Sequence, residues 1–122
     1  MAKTILVVDD SASLRQVVSI ALKGAGYDVI EACDGKDALT KLNGQKIHLI
    51  ISDVNMPNMD GITFVAEAKK LPEYKFTPII MLTTEAGEEK KQAGQAAGAK
   101  AWVVKPFQPA QMLEAVSKLV LP

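Results

Sequence analysis

The chain contains a single cysteine, Cys33, and lacks any apolar stretch long enough to cross a membrane. One cysteine cannot form an internal disulfide or a cysteine-based metal site, which suits a reducing compartment. A membrane span needs about 20 consecutive apolar residues. The apolar run near the N-terminus is shorter and ends in acidic residues, unlike a signal peptide. We therefore expect a soluble protein of the cytoplasm.

The chain also has no net charge, because 14 Lys and Arg residues balance 14 Asp and Glu residues. The basic residues are scattered and form no block longer than a pair. Such a chain has no long-range field that would gather nucleic acid or an anionic membrane, so we expect neither as a partner. With 122 residues and neither a linker nor a repeat, we expect one domain over residues 1–122, without an output domain.

What the sequence does contain is a regular alternation of short apolar runs and longer segments with helical spacing. The apolar runs predict five strands, at 4–9, 27–32, 47–53, 78–82 and 100–104. The helical spacing predicts five helices, one from Leu14 to about residue 24 with Ser11 or Ser13 as its cap, and others at 35–42, 60–71, 88–97 and from Pro109. This alternation is typical of βαβ units and predicts an α/β fold, a mainly parallel sheet with helices on both faces.

Polar side chains follow four of the five predicted strands. They are Asp9 and Asp10 after the first strand, Asp53 at the third, Thr83 and Thr84 at the fourth, and Lys105 at the fifth. In an open parallel sheet, ligands bind outside the carboxyl ends of the strands, which lie at one edge. Each residue alone fits an ordinary role, such as a turn former, a helix cap or a surface lysine. Their joint placement at matching strand ends instead predicts one functional site.

Three carboxylates without a nearby histidine or cysteine favour a hard cation, Mg²⁺ or Mn²⁺ in its place. The loop after Asp53 can add a backbone carbonyl, for which Asn55 is the best source. Zinc is disfavoured because the only histidine, His48, lies at the opposite end of the third strand. Lys105 and the Thr83 hydroxyl would serve an anion near the metal. These groups together are the parts that phosphoryl transfer needs.

Other candidates have ordinary interpretations. We expect His48 to be a histidine at a strand edge and Cys33 to be a small buried thiol. The glycines at 24 and 26 follow a helix and not a strand, so they do not form a dinucleotide-binding fingerprint.

Four motifs give the chain a specific resemblance to a known family. The segments VVDD, ISDVNMPNMDG, IIMLTTEA and AWVVKPF occur in the order and at the spacing of the receiver domains of two-component response regulators. The chain most resembles the stand-alone receivers of the chemotaxis (CheY-like) type, and the resemblance covers essentially its whole length. It implies a flavodoxin-like parallel sheet of five strands in the order 2-1-3-4-5, flanked by five helices.

The resemblance also implies a role for each residue of the strand-end cluster. Asp53 would accept a phosphoryl group from the phosphohistidine of a histidine kinase, forming an acyl phosphate. Asp10 would bind Mg²⁺ directly, Asp9 would assist through water, and Asn55 would supply its backbone carbonyl. Lys105 would pair with the phosphoryl oxygens.

The implied function is that of a signalling module and not of an enzyme with a separate substrate. The chain would catalyse only its own phosphorylation and dephosphorylation. The Thr83 hydroxyl would turn toward the phosphoryl group, and a downstream protein would bind the resulting conformation. The resemblance leaves open which kinase donates, whether the target is a flagellar motor switch, and whether a phosphatase acts on the chain.

Three further residues bear on the switch that the resemblance implies. The resemblance implies that Glu85, like Asn55, occupies a position at which the family tunes how fast water removes the phosphoryl group, and Thr84 stands where the family commonly has a smaller residue. Trp102 stands where the family usually has Tyr or Phe, and it is either a rotating switch or a ring packed at the sheet edge. With Thr83, the helix at 88–97, the fifth strand and the last helix, these residues would form the partner face.

Other functions are less favoured by the sequence. An aspartate-nucleophile phosphatase would need a second acid two residues after its nucleophile, where this chain has Asn55, and a cap over its substrate. A flavodoxin-like cofactor binder would need a phosphate-cradling loop after the first strand, where Asp9 and Asp10 would repel phosphate. A phosphate sink or relay intermediate without an effector target remains an alternative.

Overall fold

The computed structural model describes residues 3–54, 56, 58–83, 98–104 and 108–120, with Thr83 described by its backbone alone. The strands are β1 (Thr4–Val8), β2 (Asp28–Ala32), β3 (Leu49–Asp53), β4 (Ile79–Thr83) and β5 (Ala101–Val104). The helices in this part of the chain are α1 (Ala12–Gly24), α2 (Gly35–Lys41), α3 (Gly61–Lys69) and α4 (Pro109–Leu119). The helix predicted at 88–97 lies outside the described residues.

The five strands form one parallel sheet in the order β2-β1-β3-β4-β5, which confirms the predicted fold class and strand order. The strand order reverses beside β1, because the chain goes from β1 outward to β2 and then back across to β3. Val8 of β1 lies opposite Ser52 of β3. The next residues along each strand, Asp9 and Asp53, therefore reach the carboxyl edge side by side, at the point where such sheets bind ligands.

Alternate residues of β1 serve two separate apolar layers, as the pleat of a strand requires. Leu6 and Val8 point into the layer that contains Phe64 of α3. Ile5 and Val7 point into the other layer, which α1 and α4 cover. These four side chains are fully buried. Burial on both faces fixes the strand that delivers the acids to the edge.

The start of α1 resolves one alternative that the sequence left open. Ser11, and not Ser13, is the N-cap, and its hydroxyl accepts a hydrogen bond from the Leu14 N–H at 3.3 Å. The helix thus begins at Ala12, as the Ser11 alternative implies. Ala12 and Ser13 are exposed, so they take no part in the apolar spacing that starts at Leu14. Within the described part of the chain, no helix is both long enough and apolar enough to span a membrane.

Candidate functional site

Two neighbouring strands bring three carboxylates together at the carboxyl edge of the sheet. Asp9 and Asp10 follow β1, and Asp53 is the last residue of β3. One carboxylate oxygen from each residue lies within 4.8 Å of the other two. The structure thus places together the three acids that were expected to meet here.

The three acids differ in exposure and in how they are held. Asp9 is 1% exposed and Asp53 is 6% exposed, whereas Asp10 is open to solvent. Oδ1 of Asp9 accepts a hydrogen bond from the Ser11 N–H at 2.9 Å, and Oδ1 of Asp53 accepts one from the Val54 N–H at 2.9 Å. Burying a carboxylate is costly without such partners, so these backbone donors offset part of the desolvation cost of the two buried acids.

The donor set fits a hard divalent cation. All three side chains offer carboxylate oxygens, the ligands that Mg²⁺ and Mn²⁺ prefer, and the cluster includes neither histidine nor cysteine. Negative charges this close repel one another, and a dication between them would offset that repulsion. Asp9, Asp10 and Asp53 are therefore suited to hold Mg²⁺ at this edge.

The turn that follows β3 brings α3 back against the site. The Gly61 N–H donates to the Val54 carbonyl at 2.8 Å, and the carboxylate of Asp60 caps α3 by accepting from the Thr63 N–H at 2.7 Å. A Cβ atom at Gly61 would lie 2.0 Å from the carbonyl oxygen of Asp53. Only glycine permits this approach, so Gly61 fixes how closely α3 packs against the predicted phosphoacceptor.

The turn after β3 is also tied to the start of α2. The Asn58 amide donates to Oδ2 of Asp34 at 2.8 Å, while Oδ1 of Asp34 caps α2 by accepting from the Asp37 N–H at 2.8 Å. The Asp37 N–H and the Asn58 amide hold the pKa of Asp34 below its usual range. Asn58 itself has a left-handed backbone conformation, with φ of 68°, which asparagine tolerates better than most residues. This contact was not expected from the sequence.

A basic residue that was not assigned to the site contacts it from α1. Nη1 of Arg15 donates to the Asp9 carbonyl oxygen at 2.6 Å, and its Nε donates to Oε1 of Glu31, in β2, at 3.2 Å. Arg15 is the only arginine in the chain. That rarity is the sequence signal that could have found it, because arginine rather than lysine suits two simultaneous, directed hydrogen bonds.

Several predicted site residues lie outside the described residues. These are Asn55, Thr84, Glu85 and Lys105, together with the side chain of Thr83. The backbone of Thr83 ends β4, which adjoins β3, and Val104, the residue before Lys105, ends β5. Both positions are at the carboxyl edge of the sheet, the same edge that carries the acids.

Trp102 lies in β5, opposite Met81 of β4. The ring is partly buried and packs against the apolar layer of α2 and α3. Its indole nitrogen is buried and has no hydrogen-bond partner within the described part of the chain. The packed ring and the rotating switch both stay predictions for Trp102.

His48 and Cys33 stand apart from the acidic cluster. His48 precedes β3 at the opposite edge, as expected, and its Nδ1 accepts a hydrogen bond from the Thr4 N–H at 3.0 Å. The prediction of a buried thiol at Cys33 was wrong, because this side chain is exposed. The chain leaves the edge strand β2 here and turns toward α2, where the Cys33 N–H donates to Oδ2 of Asp37 at 3.0 Å.

The family model for the response regulator receiver domain matches residues 5–117. The chain belongs to this family. Chemotaxis protein CheY1 of Helicobacter pylori is 39% identical to it over 119 residues, which cover 96% of this chain and 95% of that protein. The structure of chemotaxis protein CheY4 of Vibrio cholerae matches with a TM-score of 0.94 and 50% identity, over 98% of this chain and 99% of that one.

These matches make the chain a receiver domain of the CheY-like response regulators, consistent with two-component signalling. A further receiver domain, from sensor histidine kinase PA1611 of Pseudomonas aeruginosa, matches with a TM-score of 0.91 and 26% identity over 98% of each chain. That structure holds a magnesium ion coordinated in the active site cleft. A magnesium site at the acidic cluster of this chain is compatible with it.

Proposed function

We propose that this receiver domain accepts a phosphoryl group on Asp53 from the phosphohistidine of a histidine kinase. The observation that carries the proposal is the placement of the Asp53 carboxylate at the end of β3, with oxygens of Asp9 and Asp10 within 4.8 Å. A lone, buried aspartate at a strand end would be an ordinary structural residue. Two further acids beside it are costly for folding and are explained by a cation that phosphoryl transfer uses.

In the proposed transfer, the Asp53 carboxylate is the nucleophile. An oxygen of Asp53 forms a bond to phosphorus while the nitrogen–phosphorus bond of the donor breaks, and the imidazole keeps that electron pair. Water later attacks the phosphorus of the acyl phosphate, releasing inorganic phosphate and restoring the carboxylate. The Val54 N–H donates both to the Leu82 carbonyl at 3.0 Å and to Oδ1 of Asp53 at 2.9 Å, and the second bond limits the rotation of the Asp53 carboxylate.

Mg²⁺, or Mn²⁺ in its place, would be held by Asp10, Asp53 and the Asn55 carbonyl, with Asp9 acting through water. When bound, such an ion neutralises charge between a carboxylate and a phosphoryl group that otherwise repel each other. Within this scheme Asp53 is both a ligand and the nucleophile. The chain would need no other substrate, so its catalysis would be limited to its own phosphorylation and dephosphorylation.

The phosphorylated form would bind a downstream protein target. Lys105 and the Thr83 hydroxyl would meet the phosphoryl oxygens, and the Thr83 end of β4 and the neighbouring Trp102 of β5 would carry the change to the partner face. Glu85 and Thr84 would adjust how long that form persists and how the face is shaped. CheY1 and CheY4 are named as chemotaxis proteins, which supports a chemotaxis-type target.

Intact mass after incubation with acetyl phosphate tests the proposal. We expect a short-lived gain of one phosphoryl group in Mg²⁺ and none in EDTA. Asp53→Asn should remove the gain, while the matched control Asp60→Asn should retain it, because Asp60 is an exposed acid outside the cluster and asparagine also caps helices. An unmodified mass in Mg²⁺, or labelling that survives in Asp53→Asn, would contradict the proposal.

A further inference from the structure

Arg15 links the acidic site to β2 through two directed hydrogen bonds. It lies in the first turn of α1, and its side chain is 19% exposed. The guanidinium donates from Nη1 to the Asp9 carbonyl oxygen at 2.6 Å and from Nε to Oε1 of Glu31 at 3.2 Å. A planar guanidinium can make both bonds at once, because its donors point in fixed and different directions.

The bond to Asp9 completes the restraint of that residue. The Asp9 N–H donates to the Ala32 carbonyl at 3.1 Å, and its Oδ1 accepts from the Ser11 N–H at 2.9 Å. Arg15 holds the remaining polar group, the carbonyl. This carbonyl belongs to the peptide plane that joins Asp9 to Asp10, so holding it also sets the direction in which Asp10 leaves the strand.

Asp10 has no comparable burial, because its side chain is exposed at the edge of the cluster. Its direction therefore depends on the peptide plane that precedes it. Carboxylates must be aimed with an accuracy of about 0.5 Å to act as a unit. The contacts from Glu31 through Arg15 to Asp9 support that position from a second strand, since Glu31 lies in β2 and β2 pairs with β1.

We propose that Arg15 is a positioning residue for the cation site, acting through the Asp9–Asp10 peptide and not through its charge. The inference rests on the proposed Mg²⁺-dependent function of the acidic cluster. Arg15 touches neither the cation nor the phosphoryl group in this proposal. Its effect is to hold the two acids after β1 in the arrangement that meets Asp53.

Charge and positioning predict opposite results, which makes the proposal testable. A positive charge close to the site repels a cation, so a purely electrostatic role means that removing Arg15 strengthens Mg²⁺ binding. A positioning role means that removing Arg15 weakens Mg²⁺ binding, because the carboxylates are then no longer held in the orientation that binds the cation. Residues that orient metal ligands typically contribute about 10-fold to 100-fold in affinity.

Calorimetric titration of the full chain with Mg²⁺ measures the effect. We expect Arg15→Gln to raise Kd at least about tenfold. Arg15→Lys should give an intermediate Kd, because lysine keeps the charge but cannot make the two directed hydrogen bonds of the guanidinium. The control Lys23→Gln removes one positive charge from the exposed last turn of α1 and should leave Kd unchanged. Hydrogen exchange of the Asp10 and Ser11 amides in EDTA should be faster in Arg15→Gln than in the unaltered chain.

The outcomes separate the inference from the proposed function. An unaltered chain that does not bind Mg²⁺ would overturn both. An unaltered chain that binds Mg²⁺, with Arg15→Gln folded and binding equally or more tightly, would overturn the positioning role alone. If Arg15→Gln does not fold, Arg15→Lys decides: a Kd equal to that of the unaltered chain would overturn the positioning role, and a weaker Kd supports it.

Discussion

Replacing Gly61 by alanine measures how closely α3 packs against the predicted phosphoacceptor. The added Cβ would lie 2.0 Å from the carbonyl oxygen and 2.9 Å from the carbonyl carbon of Asp53. Real Cβ atoms stay beyond about 3 Å, so one backbone segment must move by about 1 Å. The obstacle is the backbone at the end of a buried strand, which cannot turn aside as a side chain can. We expect a loss of unfolding free energy of about 3 kcal/mol, at the upper end of ordinary overpacking.

Urea or thermal unfolding in EDTA gives this number without any contribution from a bound cation. A loss of about 3 kcal/mol corresponds to a decrease in Tm of roughly 10 °C for a chain of this length. The matched control is Gly24→Ala, at the last residue of α1, where a Cβ would meet nothing within 4 Å. Alanine favours helix over glycine by up to about 1 kcal/mol, so the control should be slightly stabilised.

The same displacement must reach the site, because the obstructing carbonyl belongs to Asp53 itself. Gly61→Ala should therefore also weaken Mg²⁺ binding and slow labelling by acetyl phosphate, and Gly24→Ala should change neither. Stability within about 0.5 kcal/mol of the unaltered chain, the size of a neutral surface substitution, would refute the reasoning. A stable Gly61→Ala chain with normal labelling would show that α3 can shift away from the Asp53 carbonyl at no cost.

Two further predictions concern the acids and the histidine. A residue that only supports a metal ligand typically contributes about 10-fold to 100-fold in affinity. Asp10→Ala should lower the Mg²⁺ affinity measured by calorimetry by more than this, and Asp9→Ala should lower it less than Asp10→Ala does. Equal losses would show that the roles of the two acids are wrongly divided. Burial, with the charges of Lys3 and Lys46, holds the pKa of His48 below its usual value. The unfolded chain therefore takes up a proton near pH 6.5 before the folded chain does, and thermal stability should fall as pH drops from about 7 through that lowered pKa. His48→Gln should flatten this decrease, and an unchanged pH profile would exclude His48 as its source.

The meeting of Asp9 with Asp53 could be predicted because it depends on topology alone. Parallel strands end at one edge, and the residues that end them are visible in the sequence. The contact between Asn58 and Asp34 could not be predicted in this way. Each of these residues has an ordinary local explanation, a turn former and a helix cap, and their hydrogen bond depends on the path of the loop between β3 and α3. Cys33 was misjudged for a related reason, since burial at the end of an edge strand depends on which way the chain turns.

The adjacent acids after β1 are tolerated because they differ in burial and in hydrogen bonding. Asp9 is buried and all three of its polar groups have backbone or Arg15 partners, while Asp10 stays hydrated. The single arginine near them is directed at a carbonyl and is countered by Glu31. A guanidinium aimed at the carboxylates would satisfy them and occupy the place of a cation. Directed at the backbone, it holds the acids in position without entering the space between their carboxylates at the edge of the sheet.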